Sequence, residues 1–161
     1  MDNSSKGFSL IELLIVVAII LIIAAIAIPN FMRSRIAANQ ASAVASLRTL
    51  NTSEISYSTT YGGGYTVDMI TLAPNTTAGA GPTSSAAGLI DSILASGIKS
   101  GYTFTYSPGL IDSMGRIDTY GINADPSSTN TGTNYYYTDQ SGVIHVNTTN
   151  SAVSTDSPLA G

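Results

Sequence analysis

One carboxylate near the N-terminus stands in an otherwise continuous run of apolar side chains. Glu12 is followed by sixteen apolar residues, Leu13 to Ile28. A charged side chain at the centre of a bilayer costs about 2.5–3.5 kcal/mol on insertion scales, so a charge retained in such a segment marks a functional residue. Burying a lone charge is costly, and pairing it with an opposite charge offsets part of that cost. The position of Glu12 therefore marks it as a candidate functional residue.

The segment that carries Glu12 has the length of a bilayer core. Phe8 to Ile28 is 21 residues, which as a helix would be about 31 Å long. One interpretation is a secretory signal peptide, with Lys6 as its positive region and Ala25-Ile26-Ala27 as its small-residue cleavage site. A second is a plain membrane anchor. Neither interpretation has a use for Glu12.

The residues before the apolar run supply a third interpretation. Gly7-Phe8, followed by Glu12, resembles the prepilin cleavage motif of type IV pilins and pseudopilins. The resemblance implies that a peptidase cuts between Gly7 and Phe8 and that the new amine of Phe8 is N-methylated. It also implies that Glu12 guides assembly, by pairing with the Phe8 ammonium of a neighbouring subunit. The close part of the resemblance covers Lys6 to Arg35.

Pro29 ends the apolar run. Proline lacks an N–H and its ring clashes with the preceding helical turn, so a kink or local unwinding is predicted over residues 25–29. The resemblance points to the same position, because the helix of assembled pili is often partly melted there.

The resemblance implies a structural subunit of a type IV pilus filament that serves motility, adhesion or DNA uptake. The implied partners are copies of the chain in a helical filament, the prepilin peptidase/methyltransferase, the inner-membrane assembly platform and membrane lipid before assembly. The implied location is the inner membrane, single-pass with a cytoplasmic N-terminus before cleavage, and then an extracellular pilus or a periplasmic pseudopilus. The charges that flank the span argue the other way, because Asp2 and Lys6 cancel before it whereas Arg33 and Arg35 follow it.

Two alternatives stay open beside the pilus subunit. Within the family, the chain could be a pseudopilin of a type II secretion system. The missing tryptophan-containing loop motif of the main pseudopilin and the Ser/Thr/Gly-rich loops favour a pilin. Outside the family, it could be a monomeric membrane-anchored binding protein.

Composition argues against several other classes of protein. Only 10% of the residues are charged and the formal net charge is −4, so the basic stripe needed to bind nucleic acid is missing. The chain has no cysteine, so an extracytoplasmic head would rely on packing and strand pairing without disulfides.

The residues that could do enzyme or metal chemistry do not form recognisable motifs. His145 is the only histidine, no Gly-x-Ser-x-Gly elbow exists, and an exposed strand histidine is the expected role. Zinc would need several Cys or His ligands. Four aspartates could meet in loops to bind calcium, although their spacing lacks the EF-hand pattern: Asp112, Asp118, Asp125 and Asp139. We therefore expect that the chain is not an enzyme and has neither a cofactor site nor a metal site.

The predicted fold is α+β and pilin-like, with one long N-terminal helix against an antiparallel β-meander of about four strands. The helix is apolar in its first half and amphipathic in its second, where the predicted apolar stripe is Ile36, Ala37, Ala41, Val44, Ala45, Leu47, Leu50 and Ile55. The predicted segments are a leader (1–7), a transmembrane and filament-core helix (8–30), the amphipathic half of the helix (31–60), a connecting loop with a short helix (61–100), and a β-sheet head with a polar tail (101–161).

Within the head, turn residues and alternation set the expected boundaries. Gly62-Gly63-Gly64 should end the long helix, and a short helix is predicted over 85–96 with Gly97 as its stop. The predicted strands are 101–106, 117–123, 134–138 and 143–147, the last two joined as a hairpin. Two stretches, 101–104 and 137–144, resemble those of a bacterial pilin group. The tail from Thr148 is polar and expected to be mobile.

Overall fold

A computed structural model describes residues 7–159 of the chain. The predicted leader therefore lies outside the described residues except for Gly7. The elements are helix α1 (Leu10–Tyr61), a 3-10 turn (Ile70–Leu72), helix α2 (Ser92–Ala95) and strands β1 (Ile98–Lys99), β2 (Tyr102–Pro108), β3 (Tyr120–Pro126), β4 (Tyr135–Asp139), β5 (Ile144–Asn147) and β6 (Ser157–Pro158). The chain divides into two compact units, one ending at Arg35 and the other Ile36–Gly161.

The sheet is an antiparallel meander in which each strand pairs with the next along the chain, in the order β1 to β6. The predicted α+β fold class is confirmed, as is the hairpin between β4 and β5, where Tyr137 faces His145. The sheet has six strands instead of about four. The two additional strands, β1 and β6, are two-residue edge strands, which are too short to produce an alternating pattern in the sequence.

One face of the sheet forms the core of the second unit together with α1. Along β2 and β3 the buried residues alternate with more exposed ones, as the period of a half-buried strand requires. The buried apolar residues from both elements are Ala43, Leu47 and Leu50 on the helix and Tyr102, Phe104, Tyr120, Ile122, Ala124, Tyr136 and Ile144 on the sheet. The opposite face of the sheet is polar.

The buried stripe of α1 differs from the predicted one. Leu47 and Leu50 are fully buried, whereas Ile55 is 57% exposed. Four polar residues that the predicted stripe does not include are also buried: Ser46, Asn51, Ser53 and Glu54. Asn51, Ser53 and Glu54 are tolerated there because each makes hydrogen bonds to other segments. No buried side-chain N or O atom among residues 7–159 lacks a partner.

The connection between helix and sheet was predicted partly correctly. Helix α1 ends at Tyr61, immediately before the three glycines. The predicted helix over 85–96 is wrong, because only its last turn, Ser92–Ala95, is helical. Gly88 has a positive φ of 67°, which interrupts a right-handed helix. Asp91 then starts α2 by accepting a hydrogen bond from the Leu94 N–H at 2.9 Å.

The tail from Thr148, which was expected to be mobile, makes defined contacts with the sheet. Residues 148–159, which we call the strap, leave β5, cross to β3 and return to pair with β5 as β6. On β3, the Asn123 side chain donates to the Ala152 carbonyl at 2.7 Å, and Asp125 accepts from the Ser151 hydroxyl. Ala152 is fully buried. Composition hides this arrangement, because the polar side chains of the tail are held by partners such as Asn123 and Asp125 that are distant in the sequence.

Candidate functional site

Gly7 and Phe8 lie just before α1, outside any regular element. Both are exposed, and the Phe8 side chain is 79% exposed. A peptidase must bind its substrate in an extended form, so a bond outside the helix is easier to reach than one within it. The structure thus presents the predicted cleavage bond as an accessible one, although the cleavage itself stays a prediction.

Glu12 occupies the first turn of α1. Its Oε2 atom accepts a weak hydrogen bond from the Ser9 backbone N–H at 3.4 Å, and the Leu13 N–H donates to the Ser9 carbonyl at 3.2 Å. Ser9-Leu10-Ile11-Glu12 matches the capping-box pattern, in which a glutamate accepts from the backbone N–H of the residue just before the helix. Sequence analysis assigned Glu12 to charge pairing alone and missed this second role, which the Ser-x-x-Glu spacing could have indicated.

The capping role leaves the assembly role of Glu12 open. A carboxylate at a helix N-terminus is stabilised by the helix dipole, and the contact with Ser9 uses one of its two oxygens. The chain places Glu12 four residues after Phe8, whose amine cleavage would free. Glu12 can therefore support the start of the helix and still accept a cation from outside the chain.

The helix surface that follows Glu12 is apolar all round. Its best 18-residue window has a mean hydropathy of 3.3, none of it is buried, and the helix is long enough to cross a membrane. The large apolar side chains from Phe8 to Phe31 are exposed, most of them by more than half. Burying one such side chain releases about 1.5–3 kcal/mol. This surface requires either lipid or other apolar helices around it.

Pro29 lies inside α1, which continues without interruption through residues 25–29. The predicted local unwinding is therefore absent from the described helix, while a kink stays a prediction. Proline has no N–H to donate to the Ala25 carbonyl, but the helix continues on both sides of Pro29. The Asn30 side chain adds a hydrogen bond to the Ile26 carbonyl at 3.1 Å, and the Ser34 hydroxyl adds one to the Asn30 carbonyl at 3.0 Å.

Comparisons with known proteins identify this N-terminal arrangement. Residues 2–28 match the prokaryotic N-terminal methylation motif. The chain is similar to type IV pilus proteins. It is 51% identical over 53 residues to the type IV major pilin protein PilA of Myxococcus xanthus, a match that covers 33% of this chain and 24% of that protein.

The chain also matches a second type IV pilus protein. It is 60% identical over 37 residues to the type IV wide pilus major component PilA4 of Thermus thermophilus, which covers 23% of this chain and 28% of that protein. The matches thus span about a quarter of the length of each curated relative. No solved structure matches the chain.

The other residues considered for chemistry have structural partners. His145 is half-buried rather than exposed, and its Nδ1 atom lies 2.7 Å from the Asp156 carbonyl of the strap. Asp112 and Asp118 contact Arg116, whereas Asp125 binds the strap. Among residues 7–159, no three His, Cys, Asp or Glu side chains come close enough to hold a metal ion.

The second unit also contains a buried carboxyl that no sequence pattern indicated. Glu54 is fully buried, and its two oxygens accept from the Thr66 N–H at 3.0 Å and the Thr66 hydroxyl at 2.6 Å. The Tyr106 hydroxyl donates to the Thr66 carbonyl at 3.0 Å. Burial raises the pKa of Glu54, and the hydrogen bonds from Thr66 offset part of this shift. The cluster ties the segment after α1 to the helix and to β2.

Proposed function

We propose that the chain is a structural subunit of a type IV pilus, made as a prepilin, cleaved between Gly7 and Phe8, and N-methylated on Phe8. The observation that carries the proposal is an accessible Gly7-Phe8 bond directly before an exposed apolar helix that has a carboxylate in its first turn. The similarity to a type IV major pilin and to a major component of a type IV wide pilus favours a pilus over a pseudopilus.

The proposed assembly step follows from the surface of the helix. Before assembly, the exposed apolar residues are buried in inner-membrane lipid. In the filament, the helices of neighbouring subunits replace the lipid, and the Phe8 ammonium of one subunit pairs with Glu12 of another. A subunit at the wrong height would bury both charges unpaired, and breaking a buried pair costs about 3–5 kcal/mol. The pair therefore sets the axial register, while apolar burial supplies most of the stability.

This proposal gives each partner a defined step. The prepilin peptidase/methyltransferase creates the Phe8 cation, and the inner-membrane platform moves the subunit from lipid to filament. The proposed role is structural and includes no catalysis by the chain. The final location is an extracellular pilus, and recovery of the subunit only from a periplasmic filament would favour the pseudopilin alternative.

Substitution of Glu12 tests the charge pair and separates it from helix capping. Glu12→Gln keeps an oxygen that can accept from the Ser9 N–H but removes the charge, whereas Glu12→Ala removes both. Both variants should enter the membrane and be cleaved, and both should lose most of the filament. The measurement is the ratio of subunit in the sheared surface fraction to subunit in the membrane fraction. Normal filament yield from Glu12→Gln would refute charge pairing and leave capping as the role of Glu12.

Substitution at the cleavage site tests processing. Gly7→Val places a β-branched side chain next to the bond that is cut, and uncleaved protein should accumulate in the membrane. The wild-type filament subunit should lack residues 1–7 and carry one additional methyl group on Phe8, as measured by intact mass. A mature chain that begins at Ile28 would instead establish signal-peptide cleavage after Ala25-Ile26-Ala27.

A further inference from the structure

A polar groove lies on the face of the sheet that points away from α1. It has a volume of about 350 Å³, at the lower end of the range for small-molecule sites, about 300–1,000 Å³. We call it the Tyr137 groove and define it by Asn123 of β3, Tyr137 and Asp139 of β4, Gln140 after β4, and Gly121, over which the Tyr137 ring lies. None of these residues takes part in the proposed assembly.

Glycine at position 121 makes room for the aromatic ring. A Cβ atom at that position would lie 3.0 Å from the Tyr137 hydroxyl and 3.1 Å from its Cε2 atom. A side chain at position 121 would require the ring to move by a few tenths of an ångström, so glycine permits this close contact. Tyr137 remains half-exposed and lines the groove, so it offers an aromatic surface to a ligand.

Three polar groups of the groove are already held in position. The Asn123 amide nitrogen is held by the strap through Ala152, and Asp139 Oδ1 accepts from the Ser141 N–H at 2.9 Å. Gln140 Oε1 accepts from the Tyr120 N–H at 3.4 Å. Fixing these side chains in advance lowers the entropic cost of binding.

The free ends of these groups form a mixed set of donors and acceptors. Within residues 7–159 no hydrogen bond engages Asn123 Oδ1, Asp139 Oδ2, Gln140 Nε2 or the Tyr137 hydroxyl as a donor or acceptor. The first two atoms accept hydrogen bonds, the amide donates, and the hydroxyl does both. Such a set matches a ligand with several hydroxyl groups, each of which also donates and accepts.

The charges of the lining residues limit the class of ligand that the Tyr137 groove could bind. In the described part of the chain, none of the residues that line the groove is basic, and Asp139 is acidic. Phosphates, carboxylates and nucleic acid would meet repulsion without any compensating cation. A purely apolar ligand would leave the polar groups without water or partners, which is costly. A neutral polyhydroxylated ligand that also has an apolar ring face avoids both penalties.

We propose that the Tyr137 groove binds a neutral saccharide, with one sugar ring against Tyr137 and its hydroxyls bonded to Asn123, Asp139 and Gln140. This inference concerns the head alone and does not depend on the assembly mechanism. An exposed, shallow groove of this size predicts a weak single site with a Kd of about 1 mM.

The test uses the full chain in a zwitterionic detergent without a sugar headgroup. Cellotriose and maltotriose are the neutral probes, sialyllactose is the anionic one, and binding is followed by amide chemical shifts. At least one neutral trisaccharide should give saturable shifts at Asn123, Tyr137 and Asp139, and sialyllactose should bind more weakly. Absence of saturable shifts with both neutral probes, or tighter binding of sialyllactose, would overturn the proposal.

Matched variants locate the site. Tyr137→Ala should weaken binding by about tenfold, and Gly121→Ala should also weaken it by displacing the ring. Tyr135→Ala is the control, because Tyr135 lies on the same face of β4 but does not line the groove. Asp139→Asn keeps the shape and should change affinity even if Tyr137→Ala disturbs the fold. Equal weakening by Tyr135→Ala, or unchanged affinity in both Tyr137→Ala and Asp139→Asn, would refute the assignment.

Discussion

At the scale of single residues, Glu54 links the packing of the head to pH. Glu54 lies on α1, and its buried carboxyl accepts hydrogen bonds from both the N–H and the hydroxyl of Thr66. Because burial raises its pKa above the ordinary value, the folded chain binds a proton here more tightly than the unfolded chain does. Its contribution to stability is therefore fully present below the ordinary pKa and declines as pH rises through the raised value.

A neutral isostere isolates this effect. In Glu54→Gln the free energy of unfolding should depend less on pH than in the wild type. As pH rises above about 4.5, the ordinary pKa of the group, the free energy of unfolding of the wild type should fall relative to that of Glu54→Gln. The difference between the two proteins is the relevant quantity, because the pKa values of Asp91 and Asp112 are lowered and these groups respond to pH with the opposite sign. Denaturant unfolding over this pH range measures it, and parallel curves would show that Glu54 is not the group responsible.

Removal of the carboxyl has a different consequence from its neutralisation. Glu54→Ala leaves the Thr66 N–H and hydroxyl buried without their acceptor, which should cost about 1–3 kcal/mol of unfolding free energy at any pH. Thr52→Ala is the control, because Thr52 is exposed on the same helix and its hydroxyl bonds only to the Arg48 carbonyl. Denaturant unfolding compares the two. An equal, small loss from both variants would contradict the role given to Glu54.

At the scale of elements, sequence patterns located the structure wherever periodicity or a strong stop signal existed. The end of α1 at Tyr61 and the β4–β5 hairpin followed from glycines and alternation. The pattern failed where side-chain partners decide the outcome. Ser53 and Glu54 lie in the core because their hydrogen-bond acceptors and donors come from other segments, and one-dimensional hydrophobicity places Ile55 there instead.

The candidate site was predictable to a different extent. Glu12 stands out because a carboxylate beside a membrane-length apolar run is costly. Gly7 and Phe8 stand out only because, with Glu12, they resemble the prepilin cleavage motif. The Tyr137 groove was not predictable, because its residues come from β3, β4 and the turn after β4 and meet only through strand register. The contact between Gly121 and Tyr137 is diagonal across two strands, so no sequence spacing reveals it.

The strap provides a prediction at this scale. Asn123 donates to both the Ser151 hydroxyl and the Ala152 carbonyl, so Asn123→Ala should release the strap from β3 at a cost of about 1–3 kcal/mol. Amide hydrogen exchange should increase over residues 148–156 and remain unchanged in β2. Asn75→Ala, in an exposed loop, serves as the control. Unchanged exchange in the strap of Asn123→Ala would show that β6 pairing alone holds it.

At the scale of the whole molecule, the two compact units differ in whether their apolar side chains are exposed or buried. The first unit exposes its apolar side chains along α1, whereas the second unit buries an apolar core of its own. Solubility should therefore be decided by the first unit and folding of the head by the second. The chain has no cysteine, so the stability of the second unit must come from packing and hydrogen bonds.

This division predicts how a shortened chain behaves. A chain that begins at Ile36, the first residue of the second unit, should be soluble without detergent, monomeric and folded, because it retains Leu47, Leu50 and the whole sheet. The full chain should need detergent, since each exposed aliphatic side chain gains about 1.5–3 kcal/mol when it leaves water. Circular dichroism should show mixed α and β structure that does not change with reductant.

The unfolding of the shortened chain tests whether this core is sufficient. The chain should unfold cooperatively, and a Leu50→Ala variant measured beside it should lose about 2–5 kcal/mol of unfolding free energy. A shortened chain that aggregates or unfolds without a transition would instead mean that the head depends on the apolar half of α1.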